Sequence, residues 1–146
     1  MAVFSRHVDV NWQGSIMEGK GGVKAGSGAF TLPVSFPQRV GDANGATSPE
    51  ELIAAAHASC FAMALNATVG RKGGAIARTL VTCTVSADKG DAGIKITSSK
   101  LDVTVEGLTG IAAADFNAVA KEAEGKCPVS NALRGSLTIE LATTVK

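Results

Sequence analysis

Hydrophobic and polar residues alternate in several parts of the chain, and this period of two is typical of a half-buried strand. The pattern occurs around residues 4–12, 30–36, 78–87, 94–105 and 137–141. The fourth of these segments is long enough for one long strand or two consecutive strands. Strands are therefore expected near both ends of the chain.

A glycine-rich segment at residues 19–28 separates the first two predicted strands. It lacks the glycine and lysine spacings of phosphate-binding loops, and a strand rather than a helix follows it. We interpret it as a flexible turn. The second strand is expected to end at Pro37 and Gly41, before a polar loop at residues 42–47.

The clearest helix is predicted over residues 48–70. Ser48 is suited to the N-cap, Pro49 to the first helical position, and Glu51 completes a Ser-x-x-Glu capping box. The sequence that follows is apolar on nearly every side, and such a helix must be buried on all sides. This predicts a central helix that is covered in part by another subunit.

Two further helices are expected between the central helix and the last strand. One follows the i, i+3, i+4, i+7 spacing of apolar residues, at Phe116, Val119, Ala120 and Ala123. The other is short and runs from Cys127-Pro128 to Leu133. Strands at both ends with helices between them predict a single α+β domain over residues 1–146, with mainly antiparallel sheets around a buried central helix.

Composition and charge exclude several classes of protein. Hydrophobic residues make up 45% and charged residues 18%, which excludes a disordered chain. A net charge of +1 with 4% aromatic residues argues against nucleic acid as a partner. No purely apolar span of eighteen residues and no secretory leader is visible, so we expect no membrane partner and a cytoplasmic location.

Cysteine carries the first candidate chemistry. The three cysteines fit neither a disulfide framework nor a zinc site, and no metal or cofactor is predicted. Cys83 lies on the apolar face of a strand and is expected in the core. Cys60, in the central helix, is either a packed small hydrophobe or a reactive thiol. Cys127 precedes Pro128 at a helix start, where amide N–H groups stabilise a thiolate, so packing and reactivity are both open.

His57 lies one helical turn before Cys60, on the same face. A Cys/His pair is typical of cysteine hydrolases, in which the imidazole is the base. Neighbouring side chains on one helix run parallel, however, so a packed or supporting histidine is favoured over a dyad. Arg39 and Glu50, taken alone, are a solvated loop arginine and a helix-capping carboxylate.

The segment TSPEELIAAAHASCFAMAL at residues 47–65, with Arg39 before it and CPVSNAL at residues 127–133, closely resembles the OsmC/Ohr family. These are the osmotically inducible and organic-hydroperoxide-resistance proteins. The similarity extends over nearly the whole chain and is greater to the OsmC branch. Small departures occur at Ser48, where asparagine often precedes the proline, and at Val40, where phenylalanine often follows the arginine.

The resemblance implies a thiol peroxidase that acts on organic hydroperoxides without metal or haem, in an intertwined homodimer. It implies that Cys60 is the peroxidatic cysteine and that Cys127 resolves it through a Cys60–Cys127 disulfide. Arg39 would activate the thiolate, and Glu50 would orient the arginine. A dithiol reductant, of lipoyl type, would recycle the disulfide.

Helix geometry adds one expectation about the assembly. Glu50 and Cys60 are ten residues apart, which is about 15 Å along a helix axis. If two such helices pack antiparallel across a two-fold axis, Glu50 of one subunit comes near Cys60 of the other. We therefore expect active sites at the subunit interface. The apolar helix wall, with Phe61 and Met63, suits a bulky hydrophobic peroxide.

Two other functions remain as alternatives. The same apolar pocket could hold a fatty or other hydrophobic ligand without turnover. A cysteine hydrolase that uses Cys60 and His57 would lose activity with His57→Ala and keep it with Cys127→Ser, which is the reverse of the peroxidase hypothesis.

Overall fold

The computed structural model describes residues 3–146. The chain divides into two compact units, residues 1–52 and Ile53–Lys146. The interpretation that no leader is present also involves Met1 and Ala2, which lie outside the described residues. The fold is α+β with two mainly antiparallel sheets, as predicted.

The first unit is built on a three-stranded antiparallel sheet of order β1-β2-β3, whose strands are Val8–Gln13, Lys20–Ala25 and Thr31–Val34. The interpretation of residues 19–28 as a flexible turn is wrong, because most of the segment is β2. Glycine is needed in β2 because the neighbouring strand β1 lies too close for a side chain. A Cβ on Gly21 would lie 2.9 Å from both the Asn11 carbonyl oxygen and the Trp12 ring.

The second predicted strand is shorter than expected, because a helix α1, Phe36–Val40, begins directly after it. Ser35 caps this helix, and its hydroxyl accepts from the Gln38 N–H at 3.4 Å. Phe36 is therefore helical and not part of the strand. β1 is exposed along its whole length, so the expectation that it is half-buried is also wrong.

The central helix α2 spans Pro49–Arg71, in agreement with the prediction. The Ser48 hydroxyl accepts from the Glu51 N–H at 3.1 Å, as an N-cap does. The Glu51 carboxylate accepts from the Thr47 hydroxyl at 2.8 Å. The chain leaves the helix at Gly73, whose φ of +79° is the left-handed conformation common after helix ends.

Only one face of α2 is buried within the chain, and the expected cover of its other faces by a second subunit stays a prediction. The buried residues are His57, Phe61, Leu65, Thr68 and Val69. On another face, Met63 is 72% exposed. By length and composition α2 could cross a membrane, although polar residues interrupt its apolar sequence. Core helices of soluble proteins have the same length and composition.

Besides most of α2, the second unit contains a sheet of order β4-β5-β6, two further α-helices and one 3-10 turn. Its elements are β4 Arg78–Gly90, β5 Gly93–Glu106, a 3-10 turn Ala113–Asp115, α3 Phe116–Lys126, α4 Pro128–Leu133 and β6 Thr138–Val145. β4 and β5 are antiparallel, whereas β6 runs parallel to β5. Residues 94–105 thus form one long strand.

A β-bulge in β5 explains why its apolar residues switch from even-numbered to odd-numbered positions along the strand. Ser98 pairs with Ser86 and Ile96 pairs with Ala87, so Thr97 is an extra residue opposite the β4 register. An inserted residue of this kind shifts the side chains that follow to the opposite face. Apolar residues therefore occupy even positions before the bulge and odd positions after it.

The core of the second unit forms where α2, α3 and β5 supply buried side chains. Its fully buried or nearly buried members include Phe61, Leu65, Val69, Leu101, Val103, Val105, Phe116, Ala120 and Cys127. Burial of each large apolar side chain stabilises the fold by roughly 1.5–3 kcal/mol. The strongest packing thus surrounds the part of the chain that carries Cys60 and Cys127.

Candidate active site

Cys60 and Cys127 meet in the second unit, although 67 positions separate them in sequence. Cys60 lies near the middle of α2 and is partly exposed, whereas Cys127 is fully buried before α4. Both are free thiols, and they lie close enough for the Cys127 side chain to raise the pKa of the Cys60 thiol. The Val129 backbone is also adjacent to the Cys60 sulfur.

The start of α4 positions the Cys127 side chain. Pro128 occupies the first turn, where a missing N–H has no cost. Cys127 is the N-cap, as predicted, and its sulfur accepts from the Ser130 N–H at 3.5 Å. The Cys127 carbonyl accepts from the Asn131 N–H at 3.0 Å, which closes the turn.

The environment of Cys60 acts on its pKa in two directions. Burial is the largest effect and raises the pKa of the Cys60 thiol, because a thiolate is poorly solvated there. The Val129 backbone hydrogen bond lowers this pKa, and the adjacent Cys127 thiol raises it. The net shift is upward, so the described surroundings of Cys60 favour the thiol over the thiolate.

An open cleft of about 680 Å³ gives access to Cys60. It is lined by Cys60, Met63, Ala64, Ala67, Arg71, Lys126 and Pro128. Met63 lies at this cleft as expected, but Phe61 does not, since it is completely buried in the core. The Lys126 ammonium is paired with the Glu122 carboxylate at 2.6 Å.

Arg39 and Glu50 form an ion pair in the first unit. Arg39 Nε lies 3.1 Å from both carboxylate oxygens of Glu50, and Nη2 lies 2.6 Å from Oε1. The hydrogen bonds from Arg39 lower the pKa of Glu50, and Glu50 raises the pKa of Arg39. The ion pair thus joins α1 to the start of α2, a contact that the sequence patterns alone do not indicate.

An apolar cavity of about 320 Å³ lies in the same unit, within the size range of small-molecule pockets. Arg39 is its charged lining residue, and most of the others are apolar: Val8, Val10, Trp12, Ile16, Val23, Val34, Phe36, Pro49 and Leu52. Val40 is not among the lining residues, so its departure from the family pattern does not alter this cavity.

His57 is fully buried in the second unit, and both of its ring nitrogens have partners. Nδ1 lies 2.6 Å from Ser99 Oγ, and Nε2 lies 2.7 Å from Ser130 Oγ. Neither nitrogen is left to act as a base toward Cys60, which argues against the hydrolase hypothesis. No sequence pattern indicates a role for Ser99, and Ser130 is notable only as a member of the CPVSNAL segment.

Cys83 belongs to the same polar group as His57 and Ser99. It is half-buried, its sulfur lies 3.2 Å from Ser99 Oγ, and burial raises its pKa. Among residues 3–146, no group of three or more metal-ligating side chains converges.

Comparison with known proteins identifies the family. A family model described as OsmC-like protein matches residues 41–142. Peroxiredoxin OsmC of Escherichia coli strain K12 is 40% identical over 131 residues, which covers 89% of this chain and 90% of that protein. The chain belongs to the OsmC-like family.

Other relatives of this OsmC-like chain are named organic hydroperoxide resistance proteins, which form the Ohr branch of the predicted family. Organic hydroperoxide resistance protein OhrA of Bacillus subtilis strain 168 is 38% identical over 98 residues, 66% of each chain. The crystal structure of an organic hydroperoxide resistance protein OsmC from Legionella pneumophila matches with a TM-score of 0.77 and 27% identity. That match covers 99% of this chain and all of the other, so the OsmC-like fold is confirmed.

The matched range of the OsmC-like chain includes Glu50, Cys60 and Cys127 but begins two residues after Arg39. The alignment with the Escherichia coli protein is longer, at 131 residues. The family-model match thus covers α2 and the elements that follow it, while the longer alignment leaves only about a tenth of this chain outside.

Proposed function

We propose that the protein is a cysteine-based peroxidase that reduces organic hydroperoxides to alcohols. The observation that carries this proposal is the proximity of the free Cys60 and Cys127 thiols. Two neighbouring free thiols, one partly exposed and one buried, are the arrangement that a peroxidatic and a resolving cysteine require. The relatives named peroxiredoxin and organic hydroperoxide resistance protein support the reaction class.

In the first step, the Cys60 thiolate attacks the outer peroxide oxygen. The O–O bond breaks, the sulfur is oxidised to a sulfenic acid, and the alkoxide leaves as the alcohol after it takes a proton. In the second step, the Cys127 sulfur attacks the sulfenic sulfur, and the S–O bond breaks with release of water. A Cys60–Cys127 disulfide results, and this protects Cys60 from further oxidation.

Arg39 is proposed to activate the Cys60 thiolate and to bind the peroxide oxygens. Its guanidinium stays protonated and offers a planar fork of donors. The three short contacts to Glu50 keep that fork fixed. Because the immediate surroundings of Cys60 raise its pKa, an added cation is the simplest means of stabilising the thiolate.

The peroxidase is expected to work as a homodimer in the cytoplasm, with a lipoyl-type dithiol as reductant. A dithiol can open the Cys60–Cys127 disulfide and then close its own ring, which releases both protein thiols. Dihydrolipoamide should therefore sustain turnover, whereas an equal thiol concentration of glutathione should sustain little.

The deciding experiment is a thiol count before and after one equivalent of cumene hydroperoxide, with mass spectrometry of the peptides. We expect the loss of two thiols, a Cys60–Cys127 link, and an unmodified Cys83. The Cys83→Ser variant should behave like the natural sequence, and Cys60→Ser should lose no thiol. Retention of all three thiols would contradict the peroxidase proposal.

The apolar cavity in residues 1–52 favours one second candidate, a binder of hydrophobic ligands. This function predicts stoichiometric binding of a fatty acid probe without consumption of peroxide. Val10→Asp, which places a charge in the cavity wall, should abolish such binding. If the natural protein consumes cumene hydroperoxide, binding alone is not its function.

A further inference from the structure

A buried polar group ties three elements of the second unit together. His57 on α2 contacts Ser99 on β5 through Nδ1 and Ser130 on α4 through Nε2, at 2.6 and 2.7 Å. All three side chains are completely buried. Each ring nitrogen has a hydroxyl partner, so the ring cannot rotate without breaking both hydrogen bonds.

The group is suited to a neutral imidazole. A neutral ring donates from one nitrogen and accepts at the other, and a serine hydroxyl can serve either role. Burial lowers the pKa of His57, which keeps the ring uncharged near neutral pH. The histidine therefore acts as a fixed link and not as a proton carrier to solvent.

The Ser130 end of this link leads to Cys127. The Ser130 hydroxyl is held by His57, while the backbone N–H of the same residue donates to the Cys127 sulfur at 3.5 Å. The first turn of α4 is thereby fixed to α2 one helical turn before Cys60. Movement of Ser130 would carry the Cys127 sulfur with it.

We propose that His57 is a positioning residue that acts through Ser130 to hold the Cys127 thiol within reach of Cys60 for disulfide formation. This inference rests on the proposed peroxidase function. It concerns the second step, in which the S–S bond forms, the S–O bond breaks and water leaves with the thiol proton. If Cys127 is misplaced, a second hydroperoxide molecule instead oxidises the sulfenic acid to a sulfinic acid and is reduced to its alcohol.

Two pairs of variants test this role. Glutamine places its amide nitrogen close to the position of Nε2, so His57→Gln should keep the link to Ser130. Asparagine reaches only the position of Nδ1, so His57→Asn should keep the link to Ser99 and lose the one to Ser130. Ser130→Ala removes the hydroxyl that contacts Nε2, and Ser99→Ala removes the hydroxyl that contacts Nδ1.

The measurement separates the two oxidative steps on the reduced full-length protein. Cumene hydroperoxide is added in excess, and quenched samples are analysed by mass spectrometry for dimedone-trapped sulfenic acid, disulfide and sulfinic acid. We expect Cys60 oxidation within about twofold of the natural rate, and disulfide formation slowed about tenfold in His57→Asn and Ser130→Ala. His57→Gln should recover most of the rate, and Ser99→Ala should have the smaller effect.

The ratio of sulfinic acid to disulfide distinguishes positioning from general loosening of the fold. The inference would be overturned if both His57→Asn and Ser130→Ala gave the same ratio of sulfinic acid to disulfide as the natural protein. Equal slowing of both steps, or equal effects of Ser99→Ala and Ser130→Ala, would also overturn it. If the natural protein itself forms no Cys60–Cys127 disulfide, the proposed function fails, and that outcome is visible before any variant is compared.

Discussion

The Arg39–Glu50 ion pair makes a contribution to stability that depends on pH. Because Arg39 lowers the pKa of Glu50 below its ordinary value of 4.5, the contribution is complete above that value. It is lost as the pH falls through the lower pKa of the folded state. Both side chains are partly shielded from solvent, with 29% and 15% exposure, so we estimate its size at about 1 kcal/mol.

Glu50→Gln should therefore lower the melting temperature at pH 7 by roughly 2–4 °C and have little effect near pH 3. Calorimetry at the two pH values measures this difference. Glu18→Gln, in the same unit but exposed, is the matched control and should change neither value. An equal loss at both pH values would show that the carboxylate charge is not responsible.

His57 also makes the folded state less stable as the pH is lowered, but at higher pH than Glu50 does. Its pKa is lowered chiefly by burial, with Glu124 acting to raise it and Arg134 to lower it. Below the ordinary value of 6.5, the unfolded chain binds a proton that the folded chain excludes. The free energy of unfolding therefore decreases as the pH is lowered. The loss continues until the pH reaches the lower pKa of the folded state, with a slope of at most about 1.4 kcal/mol per pH unit.

We expect His57→Gln to remove this slope between pH 7.5 and pH 5.5, as measured by urea denaturation. The comparison uses the change in unfolding free energy between the two pH values, so a general loss of stability does not affect it. His7→Gln is the control, because that histidine is exposed. The explanation by burial would be wrong if His57→Gln kept the natural slope.

Sequence patterns pointed to individual residues but not to the contacts between them. The position of His57 relative to Cys60 suggested a pair on one helix face. The structure instead gives His57 two serine partners, from a strand 42 positions away and a helix 73 positions away. Helical spacing reports only neighbours on one element, so contacts that depend on packing between elements are not visible in it.

At the level of elements, capping signals located α2 to within one residue, because the chemistry that starts a helix is local. Ser48→Ala should lower stability by about 1 kcal/mol, or roughly 2–4 °C in melting temperature, because the Glu51 N–H loses its acceptor. Ser59→Ala is the matched control. Its hydroxyl only bonds back to the Ala55 and Ala56 carbonyls of the same helix, at 2.8 and 3.2 Å, so alanine should be neutral or slightly stabilising.

Thermal unfolding of the two variants measures the difference. Equal melting temperatures would show that the Ser48 cap does not limit the stability of α2.

Strand prediction failed where glycine and bulges obscure the pattern. β2 has the sequence KGGVKA, which contains too few apolar side chains to show alternation. Its pairing with β1 and β3 comes from neighbours that the local sequence does not contain. The bulge in β5 reversed the alternation within one strand, which left one strand or two as equal alternatives.

For the whole molecule, the exposed face of α2 is the feature that a single chain does not explain. The sequence predicted a helix that needs cover on all sides, and within the chain Met63 remains 72% exposed. β1 is also exposed throughout, including Val8 and Val10. A second copy of the chain would cover such surfaces, and we expect a particle of twice the chain mass of 14.7 kDa by light scattering.

A shared active site can be tested by mixing inactive variants. If Arg39 of one subunit serves Cys60 of the other, a dimer of one Cys60→Ser chain and one Arg39→Ala chain contains one site with both natural residues. Such mixed dimers should recover roughly half of the natural activity, since one of two sites is complete. The variants are purified alone, mixed under conditions that exchange subunits, and assayed for peroxide reduction with dihydrolipoamide.

The control pairs Cys60→Ser with Cys127→Ser. Because these two thiols meet within one chain, no mixed dimer restores them in one site, and disulfide-dependent turnover should stay absent. Recovery in the first mixture and not in the second would assign Arg39 and the thiol pair to different subunits. No recovery in either mixture, or full activity in a particle of 14.7 kDa, would mean that each chain holds a complete site.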